Sequence, residues 1–188
     1  MRSDPASPPA PGAAVLPPLP SPARLQQLLF DAARLGRIDV LPALLEAGVD
    51  IEARDDKGHT PLILASYNGH AAATEALIKA GARVDAPDSA RGNTALMGVV
   101  FKGYEAFVDR LLIAGADPER ANHAGQTALM MAAMFGRTAI IDRLLAAGAD
   151  PLRVDAVGNS AWSVARGQGN EVIVQRLMAG RRARQSRH

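Results

Sequence analysis

The 188-residue chain contains no cysteine. That excludes disulfide staples and thiolate metal sites, and is compatible with either redox compartment. Histidine is scarce: His59, His70, His123 and His188 stand at spacings that fit no metal-ligand pattern on a helix face. The acidic pair Asp55-Asp56 lacks the alternating carboxylates and closing glutamate of a calcium loop. No apolar run is long enough to span a membrane. Near the N-terminus Ala13-Ala14-Val15-Leu16 is cut short by Pro17-Pro18, so no secretory signal is expected. Cytoplasmic residence is the expectation, and periplasmic residence would require a different N-terminus. A basic stripe is also missing. The formal net charge is +2, and the four arginines of residues 181–188 more than account for it, which leaves the rest of the chain mildly acidic. Such a surface does not neutralise nucleic-acid phosphates.

What is present is repetition. Gly58-His59-Thr60-Pro61-Leu62, Gly92-Asn93-Thr94-Ala95-Leu96, Gly125-Gln126-Thr127-Ala128-Leu129 and Gly158-Asn159-Ser160-Ala161-Trp162 follow one another at steps of 34, 33 and 33 residues. A second register, Gly36, Gly69, Gly103, Gly136 and Gly169, makes five units. After each of these glycines come apolar pairs one helical turn apart, such as Phe107/Val108 with Leu111/Leu112 and Ile140/Ile141 with Leu144/Leu145. They predict an amphipathic second helix with one buried stripe. Gly48, Gly81, Gly115 and Gly148 stand where that helix ends in a left-handed residue. Thr60, Thr94, Thr127 and Ser160 are placed to cap the N-terminus of a first helix, with Pro61 at its first position.

On these residues, and most closely on Asp55-Asp56-Lys57-Gly58-His59-Thr60-Pro61-Leu62-Ile63-Leu64-Ala65 with Asn68-Gly69-His70 and Lys79-Ala80-Gly81-Ala82, the chain resembles the ankyrin-repeat family. Phrases such as Phe135-Gly136-Arg137 are similar to those of its small bacterial members. The resemblance implies an all-α solenoid of five helix-turn-helix units with β-turn or hairpin tips, in repeats of about 21–54, 55–88, 89–121, 122–154 and 155–180. The first and last would act as caps. Residues 1–20, rich in proline and alanine, are expected to form a disordered tail, and 181–188 a basic one. Three departures stand out. The family's signature histidine is replaced by Ile63, Met97, Met130 and Ser163. Val99-Val100 stands where Ala132-Ala133 keeps the usual small pair, and one extra residue precedes Gly92. The latter features predict looser packing in repeat three.

Catalytic motifs are weak. Gly158-Asn159-Ser160 begins like a nucleophile elbow, but Trp162 occupies the second glycine position and no strand precedes it. Gly167-Gln168-Gly169 begins like a dinucleotide fingerprint but continues to Val172 where the third glycine belongs. No enzyme activity, cofactor or metal is expected, and the chain is expected to be a monomer.

The family resemblance implies a partner protein held on a concave surface built from turn tips and exposed first-helix ends. Carried onto this sequence, the tips offer Lys57, His59, Arg91, Asn93, His123 and Gln126. The helix ends offer Tyr67, Phe101, Lys102, Met134 and Phe135. Three of the seven aromatic residues fall at those nominally exposed ends, and exposed aromatic and Met side chains in a row are a recognition feature. Lys57, Arg91 and Lys102 are expected to flank them with positive charge. The alternative is an accessory factor that touches nucleic acid or an anionic membrane through Arg181, Arg182, Arg184 and Arg187.

Overall fold

The computed structural model describes residues 20–185, with side chains to Arg182; residues 1–19 of the expected N-terminal tail and the side chains of Arg184 and Arg187 lie outside the described residues. Ten helices follow in five pairs: α1 (Pro22–Leu35) and α2 (Leu41–Glu46), α3 (Pro61–Tyr67) and α4 (Ala71–Lys79), α5 (Ala95–Lys102) and α6 (Glu105–Ile113), α7 (Ala128–Met134) and α8 (Thr138–Ala146), α9 (Ala161–Gly167) and α10 (Glu171–Gln185). Helix α10 continues five residues past the expected start of the basic tail, so Arg181 and Arg182 stand on its last turns.

The first helices start where the hydroxyl pattern places them. Thr60, Thr94, Thr127 and Ser160 each accept the backbone amide three residues on, those of Ile63, Met97, Met130 and Ser163. Each satisfies one of the amides that a helix start leaves without an intrahelical partner. The second helices stop before Gly81, Gly115 and Gly148, which adopt φ of 93, 93 and 96°. A side chain would be strained there.

The units stack in single file. Each first helix packs on the first helix of the next unit, and α6, α8 and α10 pack in the same order. Leu41, Leu77, Leu111, Leu144 and Leu177 are fully buried in one continuous core. The expectation of a looser third repeat is wrong. Val99 and Val100 are both completely buried, because the larger pair fills the interface between α5 and its neighbours. The extra residue is absorbed at the turn, where Asp88 accepts the amides of Arg91, Gly92 and Asn93 instead of the two that Asp55 takes from Lys57 and His59.

Two further sets of bonds hold the register of the stack. Turn tips join through backbone bonds, from Ser89 to the Gly58 carbonyl (3.0 Å), His123 to Arg91 (2.9 Å) and Ala156 to Ala124 (3.0 Å). The second helices are laced by arginines at the repeat period: Arg110 meets Glu75 at 2.7 Å, Arg143 meets Asp109 at 2.9 Å, and Arg176 pairs with Asp142. These pairs are partly solvated, so screening and side-chain ordering leave each a small contribution. They define alignment more than stability.

Candidate functional site

The last turns of α3, α5 and α7 bring Tyr67, Phe101, Met134 and Phe135 to one edge of the stack. The rings of Tyr67 and Phe101 lie parallel with centroids 6.3 Å apart, and Phe101 meets Phe135 edge-on at 5.1 Å. Both geometries are favourable for aromatic pairs. The side chains lean on one another across repeats, yet Tyr67, Phe101, Met134 and Phe135 remain 38, 47, 39 and 40% exposed. They form a ladder that is neither sealed nor isolated.

Opposite this ladder stand the turn tips. Each opens with an Asp or Asn whose amide donates to the carbonyl of the residue after the tip glycine, while that residue's amide donates back to the side chain. The pairs are Asp55 with His59, Asp88 with Asn93, Asn122 with Gln126 and Asp155 with Asn159. Between the central two tips the Asn122 side-chain amide donates to Asn93 Oδ1 (2.9 Å) and Gln126 Oε1 (3.2 Å). The polar wall is therefore held in place by its own bonds. At the first tip, burial pushes the Asp55 carboxyl up. The amides of His59 and Lys57, the neighbouring His59 and the Arg34 guanidinium 3.0 Å away outweigh it and hold the group below the ordinary aspartate value.

Ladder and tips enclose a groove of about 470 Å³. Of the residues selected from sequence, His59, Tyr67, Arg91, Asn93, Phe101, Gln126, Met134 and Phe135 line it. Lys57, Lys102 and His123 lie outside the lining. The Lys102 ammonium sits 5.0 Å from the centre of the Tyr67 ring and 5.7 Å from that of Tyr104. His123 packs its ring against Gly92, where an added Cβ would come within 2.5 Å of it. Sequence reasoning missed the groove floor: Ile63, Leu64, Met97, Gly98 and Met131. Stepping back four residues from Tyr67, Phe101 and Phe135 reaches Ile63, Met97 and Met131, so the helical period held the signal.

The motif serines and histidines have structural roles. Ser160 is the cap of α9, its hydroxyl 3.1 Å from the Ser163 amide. His70 donates from Nε2 to the Arg34 carbonyl at 2.9 Å, tying α4 to the end of α1. Among the described residues no group of three or more histidines and carboxylates is disposed to hold a metal, and no helix is long and apolar enough to cross a membrane.

A family model of ankyrin repeats, three copies long, matches residues 29–122 and again 96–186. Among curated proteins, an ankyrin repeat domain-containing protein, SAT10, of Stachybotrys chartarum is 42% identical over 64 residues, which is 34% of this chain and 3% of that protein. The probable E3 ubiquitin-protein ligase XBOS31 of Oryza sativa subsp. japonica is 32% identical over 91 residues, 48% of this chain and 20% of that protein. Ankyrin repeat and SAM domain-containing protein 6 of Mus musculus is 35% identical over 90 residues, 47% of this chain and 10% of that protein. The chain thus spans a fifth or less of each of these relatives.

Proposed function

From the premise that this chain belongs to the ankyrin-repeat family, whose repeats generally mediate protein–protein interaction, we propose that it is a non-catalytic docking module that grips a segment of a partner protein in the groove between its turn tips and its aromatic ladder. The observation that carries this reading is the partial exposure of four large apolar side chains in a continuous row. Isolated exposed apolar groups are ordinary on a protein surface, whereas a contiguous row facing a polar wall has the composition of an interface core. Aromatic and methionine side chains supply contact area, and the Asn93 and Gln126 amides, held by bonds from Asn122, supply direction.

The test is capture of partner proteins from the native organism by the intact chain and by the double variant Phe101→Ala, Phe135→Ala, followed by mass spectrometry. A protein retained by the first and lost by the second, with the variant still folded, supports the groove. Equal capture by both overturns it. The rings touch, so the double variant should lose about 1–2 kcal/mol of stability as well, and capture is compared below both unfolding transitions.

A further inference from the structure

The groove floor has a gap. The fourth residue after each capping hydroxyl is Leu64, Gly98, Met131 and Val164, so only repeat three has no side chain at this position. Gly98 lies inside α5 and is not among the glycines with positive φ, so its conformation does not call for glycine. Nor does packing. An added Cβ would touch a single atom within 4 Å, Tyr67 Cδ2 at 3.4 Å, whereas at the tip glycines 58 and 92 it would run into neighbours at 2.0 and 2.5 Å. Glycine within a helix is less stable than alanine. This helix carries that disadvantage where alanine would fit, and the space left open faces the groove between Tyr67, Phe101, Met97 and Met131.

Charge narrows what could fill it. Asp88 is the one carboxylate on the lining, and both its oxygens are occupied by backbone amides. Arg91 is exposed on the rim directly beside it. Outside the lining, Arg137 donates to the Phe101 carbonyl at 3.3 Å and the Lys102 ammonium lies 5.0 Å from the Tyr67 ring centre, so two further cations adjoin the ladder. The lining presents the Asn93 and Gln126 amides and the Arg91 guanidinium around an apolar recess.

We propose that the recess over Gly98 is a socket for one large apolar side chain (Leu, Met, Phe or Trp) of an extended acidic segment of another protein, with a neighbouring carboxylate of that segment bonded to Arg91. The proposal rests on the groove reading above and adds the chemistry of the occupant. The socket contributes shape, because repeat three has no side chain at this position while Leu64 and Met131 fill the floor on either side. Arg91 contributes register, because a guanidinium forms directed paired bonds to carboxylate.

A random dodecapeptide phage library selected on the full chain tests it. The peptides recovered are synthesised, and their affinities measured by fluorescence polarisation for the original chain and for Gly98→Ala, Gly98→Leu, Arg91→Glu and the Phe101/Phe135 double variant. The expected consensus is one large apolar residue flanked by Asp or Glu. Gly98→Ala should raise the thermal midpoint by roughly 2 °C while weakening binding, and Gly98→Leu should weaken it by roughly tenfold or more. Arg91→Glu should cost about tenfold and flatten the dependence on salt. Gly98→Ala keeps the test decisive if leucine disturbs Tyr67. Failure to enrich any peptide, a consensus without acidic residues, or a proline-rich consensus resembling the chain's own residues 1–19 would each overturn the proposal, as would undiminished binding to both Gly98 variants. If the Gly98 variants bind normally and the Phe101/Phe135 variant does not, the socket fails and the groove stands; if all bind normally, both fail.

Discussion

Asp88 and Asn93 are bonded to each other twice: the Asp88 amide donates to the Asn93 carbonyl at 2.8 Å, and the Asn93 amide donates to Asp88 Oδ2 at 3.2 Å. The pair closes a turn one residue longer than its counterparts, and it positions both Asn93 and Arg91 at the groove. The same reciprocal bond recurs at every other tip, so a single local device builds the polar wall.

Asp88→Ala should therefore destabilise the chain by about 1–3 kcal/mol, because three backbone amides lose a nearly buried acceptor. Urea unfolding followed by circular dichroism measures this. Unchanged stability would mean that water replaces the carboxylate at no cost.

Leu111 is completely buried on α6 at the centre of the stack. Truncation to alanine should cost about 2–5 kcal/mol through lost transfer energy and the cavity left behind. Ile113, 88% exposed on the same helix, provides the control: Ile113→Ala should change stability by less than about 0.5 kcal/mol.

Asp55 has a lowered folded-state pKa, so its contribution to stability is fully present above the unfolded aspartate value of about 3.9 and is lost as pH falls through the folded value. The thermal midpoint of Asp55→Asn should lie below that of the original chain at pH 7, and the gap should narrow as the pH drops below 4. A gap that stays constant to pH 2.5 would show that Asp55 acts without its charge.

Removal of residues 181–188 discriminates the groove from the arginine-rich terminus. Groove binding of peptides should be nearly unchanged. Any retention on anionic vesicles or RNA that is salt-sensitive and disappears with this deletion would favour the alternative reading.

Much of the architecture was legible residue by residue. The caps at Thr60, Thr94, Thr127 and Ser160, the left-handed glycines and the Leu111 and Leu144 stripe all depend on partners three or four positions away, so a 33-residue period repeats them visibly. The candidate site was legible at its rim, through the aromatic residues at the helix ends. Its floor was missed because Ile63, Met97 and Met131 look like core in a helical pattern, and the sequence set Lys102 beside the aromatic row without showing that it lies against Tyr67 outside the groove lining. Val99-Val100 looked too large only in comparison with Ala132-Ala133; the room beside it belongs to neighbouring helices.

By itself the sequence determined the unit, its period, its helix ends and which stripe of each second helix is buried, since these follow from backbone hydrogen bonding and apolar spacing within about 33 residues. Only the tertiary structure decided that Tyr67, Phe101 and Phe135 touch and stay partly open, that Arg110 finds Glu75, and that the missing side chain at Gly98 leaves a recess facing solvent. Those relations join residues 34 or 35 positions apart or depend on the space between units, and the offset of one packed unit on the next sets them.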